Sequence, residues 1–267
     1  MNPRESLVLC EGYHDRAFWA GWLLHLGCTD PGAAAAGGVR GRVPDPWGKP
    51  VVRGEYGFHS TSGEFLRVRP CGGKAAVLRE LQTRLAEESQ RARQDSARIH
   101  LRRVVLSTDP DTLEDGSSSK TSVRQQDLIP LARRFDENAQ QEESGELLLF
   151  EGSVCISLVR WEATDGSCAG VPRQQTLERL VCAALVAAYP QRGSAVQAWL
   201  DSRPAGPPAG PKEFAWSHMA GWYADHGCEN FFRYLWAVHA GDGHVRQELE
   251  KRLRACGAWR IAETLAE

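Results

Sequence analysis

The stretch SLVLCEGYHDRAFWAGWLLHLGC, Ser6–Cys28, decides how the N-terminal half of the chain is read. Its first five residues are an apolar run that predicts a buried strand, and "HDRAFWAGWLLHLG" predicts a helix whose apolar face holds Phe18, Trp22 and Leu26. Between them the chain places Glu11 and Gly12, and a second carboxylate, Asp15, follows four residues after the first. A core strand gains nothing by ending on carboxylates. A site for a divalent cation gains hard oxygen ligands.

The same pattern recurs downstream. "EFLRVRPCGG" predicts a second strand ending in a glycine pair, and "KAAVLRELQTRLAEESQRARQ" a helix with Val77, Leu81 and Leu85 on one face. "LRRVVLSTDPD" predicts a third strand, again with acids at its C-terminal end: Asp109, Asp111 and, a little further on, Asp115. "TSVRQQDLIPLARRFDENAQQ" reads as a helix capped by Thr121 or Ser122 and bent or divided at Pro130. "ELLLFEGSVCISLVRWEA" gives two short strands around Gly152, and "TLERLVCAALVAAYP" an apolar helix stopped near Pro190. Strands alternating with helices imply an α/β fold with a mainly parallel sheet flanked by helices. Thr29–Gly63 is rich in Gly, Pro and Ala and reads as an irregular excursion. The expected organisation is an α/β domain over 1–201, a Pro/Gly-rich loop over 202–211, and a C-terminal segment of two or three helices over 212–267.

Size and composition are those of an ordinary globular protein: 267 residues, 42% hydrophobic and 25% charged. The net charge of -2 argues against a protein that coats nucleic acid by bulk charge and leaves room for a local basic patch. No apolar run approaches the roughly 20 residues needed to span a bilayer. The N-terminus lacks a basic region followed by an apolar core, so a cytoplasmic location is expected. The eight cysteines include no CxxC pair, which favours reduced core thiols over structural zinc.

In open α/β sheets, sites form just beyond the carboxyl ends of the strands. In "STDPDTLEDG" Asp109 and Asp111 alternate around Pro110, which fixes a tight bend and lets both carboxylates turn to one point. Magnesium or manganese takes such oxygen ligands. Each motif also has a bland reading: DPD as a turn, and Asp15 as a helix-start acid favoured by the macrodipole.

"LVLCEGYHD" followed by "VVLSTDPDTLEDG" resembles the Toprim domain of topoisomerases, primases, small ribonucleases and the overcoming-lysogenization-defect (OLD) nucleases. The resemblance is to the small stand-alone prokaryotic members and to the OLD type. It implies a Rossmann-like sheet and a Glu and a DxD that bind magnesium, here Glu11, Asp109 and Asp111. It also implies two Mg2+ or Mn2+ ions, with Asp15 and Glu178 completing the ligand set. Asp115 is either a further ligand or the polar end of the turn. Lys212 would touch the scissile phosphate; otherwise it is a solvated lysine after a proline turn. The implied activity is hydrolysis of phosphodiester bonds in nucleic acid, with DNA ahead of RNA, in a setting such as antiphage or mobile-element defence with a separate ATPase or defence-system subunit. None of the five tyrosines sits in a breakage-reunion setting, and a priming lobe is missing, so hydrolysis is the simplest activity.

Arg102 and Arg103, with Arg133 and Arg134, are candidates for a phosphate-binding patch, although a charge run is more often a solvated face. The aromatics of the last third, Trp216, Phe231, Phe232 and Trp236 among them, read as core packing ahead of base stacking. Two alternatives stay open: a nucleotidyl-transfer or RNA-processing Toprim enzyme, and a non-enzymatic subunit that uses a Toprim-like fold to bind a partner. A Rossmann-like phosphate binder is disfavoured because no Gly-rich loop follows the first strand.

Overall fold

The strand read first from the sequence is β1, Glu5–Cys10, and every residue of it is buried. The computed structural model describes residues 4–31, 44–48, 54–113, 116–117, 122–204, 206–220, 227–236 and 243–267. β1 lies between two parallel neighbours, β3 (Phe65–Pro70) and β4 (Leu101–Thr108). β2 (Tyr56–His59) adds antiparallel to β3. On the far side stand β7 (Val154–Arg160), β6 (Leu147–Leu149) and β5 (Gln140–Gln141), joined antiparallel to one another. Among the described residues the strand order is β2-β3-β1-β4-β7-β6-β5. The fold is thus the expected α/β class, parallel at its centre and antiparallel toward its margins.

Alternation along the strands sorts the two faces. Leu7 and Leu9 lie in register with Val104 and Leu106, and all four pack with Val77, Leu81 and Leu85 of α2 (Lys74–Gln94). Val8, Cys10 and Ser107 belong to the other face, which α1 (Tyr13–His25) covers: the Trp19 indole N–H donates to Ser107 Oγ at 3.0 Å. Phe18, Trp19 and Trp22 are fully buried, and each contributes roughly 2–3 kcal/mol of burial. The apolar face of α1 is wider than Phe18, Trp22 and Leu26 predict, because every residue from Asp15 to Leu23 is buried.

Arg67 of β3 is ion-paired with three carboxylates: Glu5 at 3.0 Å, Glu55 at 2.9 Å and Asp45 at 3.1 Å. Asp45 and Glu55 thereby tie the described part of the 29–63 excursion to the sheet edge. Burial pushes the Glu5 carboxyl up, against the pull of the Arg67 charge.

Three readings of elements change. Helix α3 covers Gln125–Arg133 with Pro130 inside it and Arg124 as its cap; Ser122 is not the cap, and Thr121 lies outside the described residues. The tail "DENAQQ" has no apolar face to bury, and its last two residues form β5 instead of helix. Pro190 does more than stop α4 (Leu177–Ala188): it opens α5 (Pro190–Asp201), where a proline's missing N–H costs nothing. Among the described residues the C-terminal part holds four helical segments, α6 (Pro211–Ala220), α7 (Gly227–Tyr234), α8 (His244–Ala255) and α9 (Ala258–Ala266), where two or three helices were expected.

The chain divides into two compact units, both discontinuous: residues 1–107, 123–159 and 261–267 form the first, and 108–122 with 160–260 the second. The expected 1–201 domain spans parts of both. In the second unit α4 is the central helix and packs against α5, α6 and α8. Phe231 and Phe232 are fully buried and meet edge-on at 5.4 Å, as core aromatics do. None of the seven cysteines described is in a disulfide. Among the described residues, no helix is long and apolar enough to cross a membrane.

Candidate functional site

In the first unit the three parallel strands end level. Cys10 stands opposite Pro70 on one side and Ser107 on the other. The chain therefore leaves the sheet at one edge after each of β1, β3 and β4. Glu11 is the first residue beyond β1. Its backbone carbonyl accepts from both Gly72 N–H and Gly73 N–H at 2.9 Å, and Cys71 N–H bonds Cys10 O at 2.8 Å. The two glycines, at φ 84° and 112°, hold backbone conformations that side chains rarely adopt, which lets both amides point at one carbonyl. The glycine pair thus fixes the exit of β1, and Glu11 with it. Lys74 follows at once as the first residue of α2. The sequence reading passed over it, although "GGK" after a strand was its signal.

Asp15 is buried at the third position of α1, and its Oδ2 accepts from Gly12 N–H at 3.2 Å, an N-terminal capping arrangement. Burial first, and then the Asp15 charge, push the Cys10 thiol well above its ordinary range, so Cys10 is an inert core thiol. Glu11 is half-buried.

In the second unit the segment after β4 is stitched to the start of α4. Thr108 O accepts from Trp161 N–H at 3.2 Å, Asp111 N–H donates to Gln175 O at 3.0 Å, and Gln175 N–H donates to Thr112 O at 2.8 Å. Asp109 Oδ1 accepts from Leu177 N–H, the first helical amide of α4, at 2.9 Å. Glu178 is the next residue, 6% exposed. Asp109 and Glu178 therefore share one helix N-terminus, where the dipole and unpaired amides favour negative charge. Thr176 caps the same turn by accepting from Arg179 N–H.

Asp111 is 7% exposed and has φ 55°, a left-handed conformation that costs a non-glycine residue on the order of 1 kcal/mol. Gln174 Nε2 donates to its Oδ1. Gln174 was missed by the sequence reading; its signal is the polar "RQQT" run ahead of an apolar helix. Thr108, directly before Asp109, is fully buried with an Oγ1 that has no hydrogen-bond partner among the described residues.

The structure brings Asp109, Asp111 and Glu178 to one junction and leaves other candidates elsewhere. Lys212 is exposed on the first turn of α6. Arg102 and Arg103 lie at the start of β4, the opposite end of that strand from Asp109, where Arg102 pairs with Glu64 and Arg103 with Glu146. Arg133 and Arg134 are exposed at the C-terminal end of α3. Asp115 lies outside the described residues.

As donors the acids are hard oxygens, the chemistry that Mg2+ and Mn2+ select. A carboxylate accepting one amide keeps acceptor capacity on its two oxygens. Yet no group of three or more His, Cys, Asp or Glu among the described residues is assembled as a metal-ligating cluster. The donor chemistry fits a divalent ion, and the described side-chain arrangement is not a finished centre for one.

No family model matches the chain, and no curated protein does. Among solved structures, the crystal structure of hypothetical protein PH0156 from Pyrococcus horikoshii OT3 is similar, with a TM-score of 0.70 and 14% identity over 99% of this chain and 100% of that one. At that identity the likeness concerns the fold alone: an α/β sheet flanked by helices.

Proposed function

We propose that the chain is a Toprim-like, divalent-metal-dependent phosphodiesterase acting on nucleic acid, with DNA ahead of RNA as substrate. The observation that carries the reading is the Asp109–Leu177 hydrogen bond, which brings the DPD loop against the helix start that bears Glu178. The hydrogen bond joins two segments about 68 residues apart, one bearing Asp109 and Asp111 and the other Glu178, within the second unit. Glu11, the fourth carboxylate of the reading, follows the strand that neighbours β4 in register.

Bound cations would supply an activated water and neutralise charge developing on the leaving oxygen. Within the chain, Asp109, Asp111 and Glu178 concentrate negative charge, and Gln174 orients Asp111. Thr108 offers a hydroxyl beside them.

A second reading, a non-enzymatic partner-binding subunit, draws on the absence of an assembled ligand cluster among the described residues and on the capping roles of Asp15 and Asp109. Calorimetry with manganese, paired with cleavage assays on labelled single- and double-stranded DNA and RNA, separates the two. The phosphodiesterase reading expects shorter strands only with Mg2+ or Mn2+, with both cleavage and manganese binding lost in Asp111→Asn. If no substrate is cut and manganese does not bind, the reading falls and the subunit reading stands.

A further inference from the structure

The second unit contains a cleft of about 720 Å³ that begins at the acidic loop. Leu113, two residues past Asp111, lines it, as does Gln174, whose amide holds the Asp111 carboxylate. Two residues are at most about 7 Å of chain, so the cleft mouth lies beside the DPD turn. Its volume is within the range of about 300–1,000 Å³ typical of small-ligand sites.

The lining has three kinds of surface. Apolar walls come from Leu113, 43% exposed, together with Pro172 and Phe214. Cations come from Arg173 and Arg203, both exposed, against one acid, Asp201, which already accepts from Gln197 Nε2 at 2.9 Å. The lining therefore carries a net +1 (two arginines less one aspartate) in a chain of net -2. The side-chain amides of Gln174 and Gln197 line the walls, each with a second Nε2 hydrogen beside the one given to Asp111 or Asp201. Guanidinium groups recognise phosphate oxygens in a planar, two-pronged geometry. A nucleobase needs an apolar wall for its face and amide-type partners for its edge.

We propose that this cleft receives an unpaired nucleotide of a nucleic-acid strand, its base between Leu113 and Phe214 and its flanking phosphates at Arg173 and Arg203. The substrate class is then single-stranded nucleic acid or a frayed end, because a base inside a duplex is stacked on its faces and paired along its Watson–Crick edge and enters a concave site only by leaving the stack. The inference rests on the nucleic-acid reading above and specifies which part of the strand the second unit takes.

Cys168 makes the cleft testable. It lines the cleft and is the one exposed thiol among those described. The full chain is treated with N-ethylmaleimide in EDTA, so that nothing is cut, with and without a five-nucleotide oligothymidylate at a concentration that saturates its fluorescence anisotropy. Peptide-resolved mass spectrometry then follows Cys168. The oligonucleotide is expected to slow its alkylation at least five-fold, a blunt duplex of the same strand is expected to leave it unchanged, and R173A/R203A is expected to lose the protection while keeping the wild-type circular dichroism spectrum. Failure of the oligonucleotide to bind, binding without protection of Cys168, or equal protection by duplex each overturns the inference. Protection without divalent-dependent cleavage would sink the phosphodiesterase reading and leave the cleft assignment standing; cleavage without protection would do the reverse.

Discussion

His218 of α6 is fully buried, and its Nε2 lies 2.8 Å from Gly170 O, which makes that nitrogen the N–H donor. Its Nδ1 has no hydrogen-bond partner among the described residues. Protonating Nδ1 would place a charge in the interior, so burial holds the imidazole pKa down to about 4; the carbonyl of Gly170 raises it, and the Arg192 charge lowers it further. In the unfolded chain the same group titrates near 6.5. The folded pKa is the lower one, so the stabilisation is complete above about pH 6.5 and is lost as the pH falls toward 4. The gap of about 2.5 pKa units corresponds to ~3 kcal/mol, with a steepest slope of about 1.4 kcal/mol per pH unit near pH 5. Carboxylates elsewhere also titrate in this window, so the informative quantity is the difference between wild type and His218→Gln. Gln keeps an N–H donor for Gly170 O and does not ionise. Urea denaturation at pH 7, 6, 5 and 4 is expected to show wild type losing about 3 kcal/mol more than the variant across the series. Parallel losses in the two proteins would refute the assignment of a neutral, charge-intolerant imidazole at this position.

Other perturbations probe other parts of the argument. Arg67→Met removes the guanidinium that three buried carboxylate side chains share, of which Glu55 keeps an ion pair to Arg69 at 3.3 Å, and unfolding at pH 7 is expected to cost about 3–5 kcal/mol less. Part of that loss returns as the pH falls, because the Glu5 carboxyl, already pushed up by burial, takes a proton. Gly193→Ala raises helix propensity in α5, yet a Cβ there would lie 2.5 Å from Ala169 O, so a drop of more than about 2 kcal/mol in chemical denaturation is expected in place of a gain. At Asp111, Asn tolerates the left-handed backbone and is expected to stay within about 1 kcal/mol of wild type, whereas Val is expected to lose about 2 kcal/mol or more. Equal stability of the two Asp111 variants would remove the case for a strained loop.

Much of the first unit was legible from short-range pattern. The run before Glu11, the 77–81–85 spacing of α2 and the hairpin around Gly152 each depend on which residues neighbour one another in the chain, and the local period alone specifies them. The carboxylates of the DPD loop were visible for the same reason, since the strand before them announces itself. The end of α3 was misread, and the helix that opens at Pro190 went unread although the stop of α4 there was correct, because each turns on whether a face exists to be buried, which the segment itself does not encode.

What the amino-acid order determined, then, is where strands and helices form and that acids stand at two strand ends. Only the tertiary structure decided that β1 lies between β3 and β4, that Asp109 bonds the first amide of α4, that Gln174 holds Asp111, and that the chain interleaves into two units. These pairings join residues about 60 or more positions apart, and a hydrogen bond or a buried ion pair at that separation leaves no trace in local periodicity. It exists only once packing has brought the partners together and excluded the water that would otherwise satisfy them.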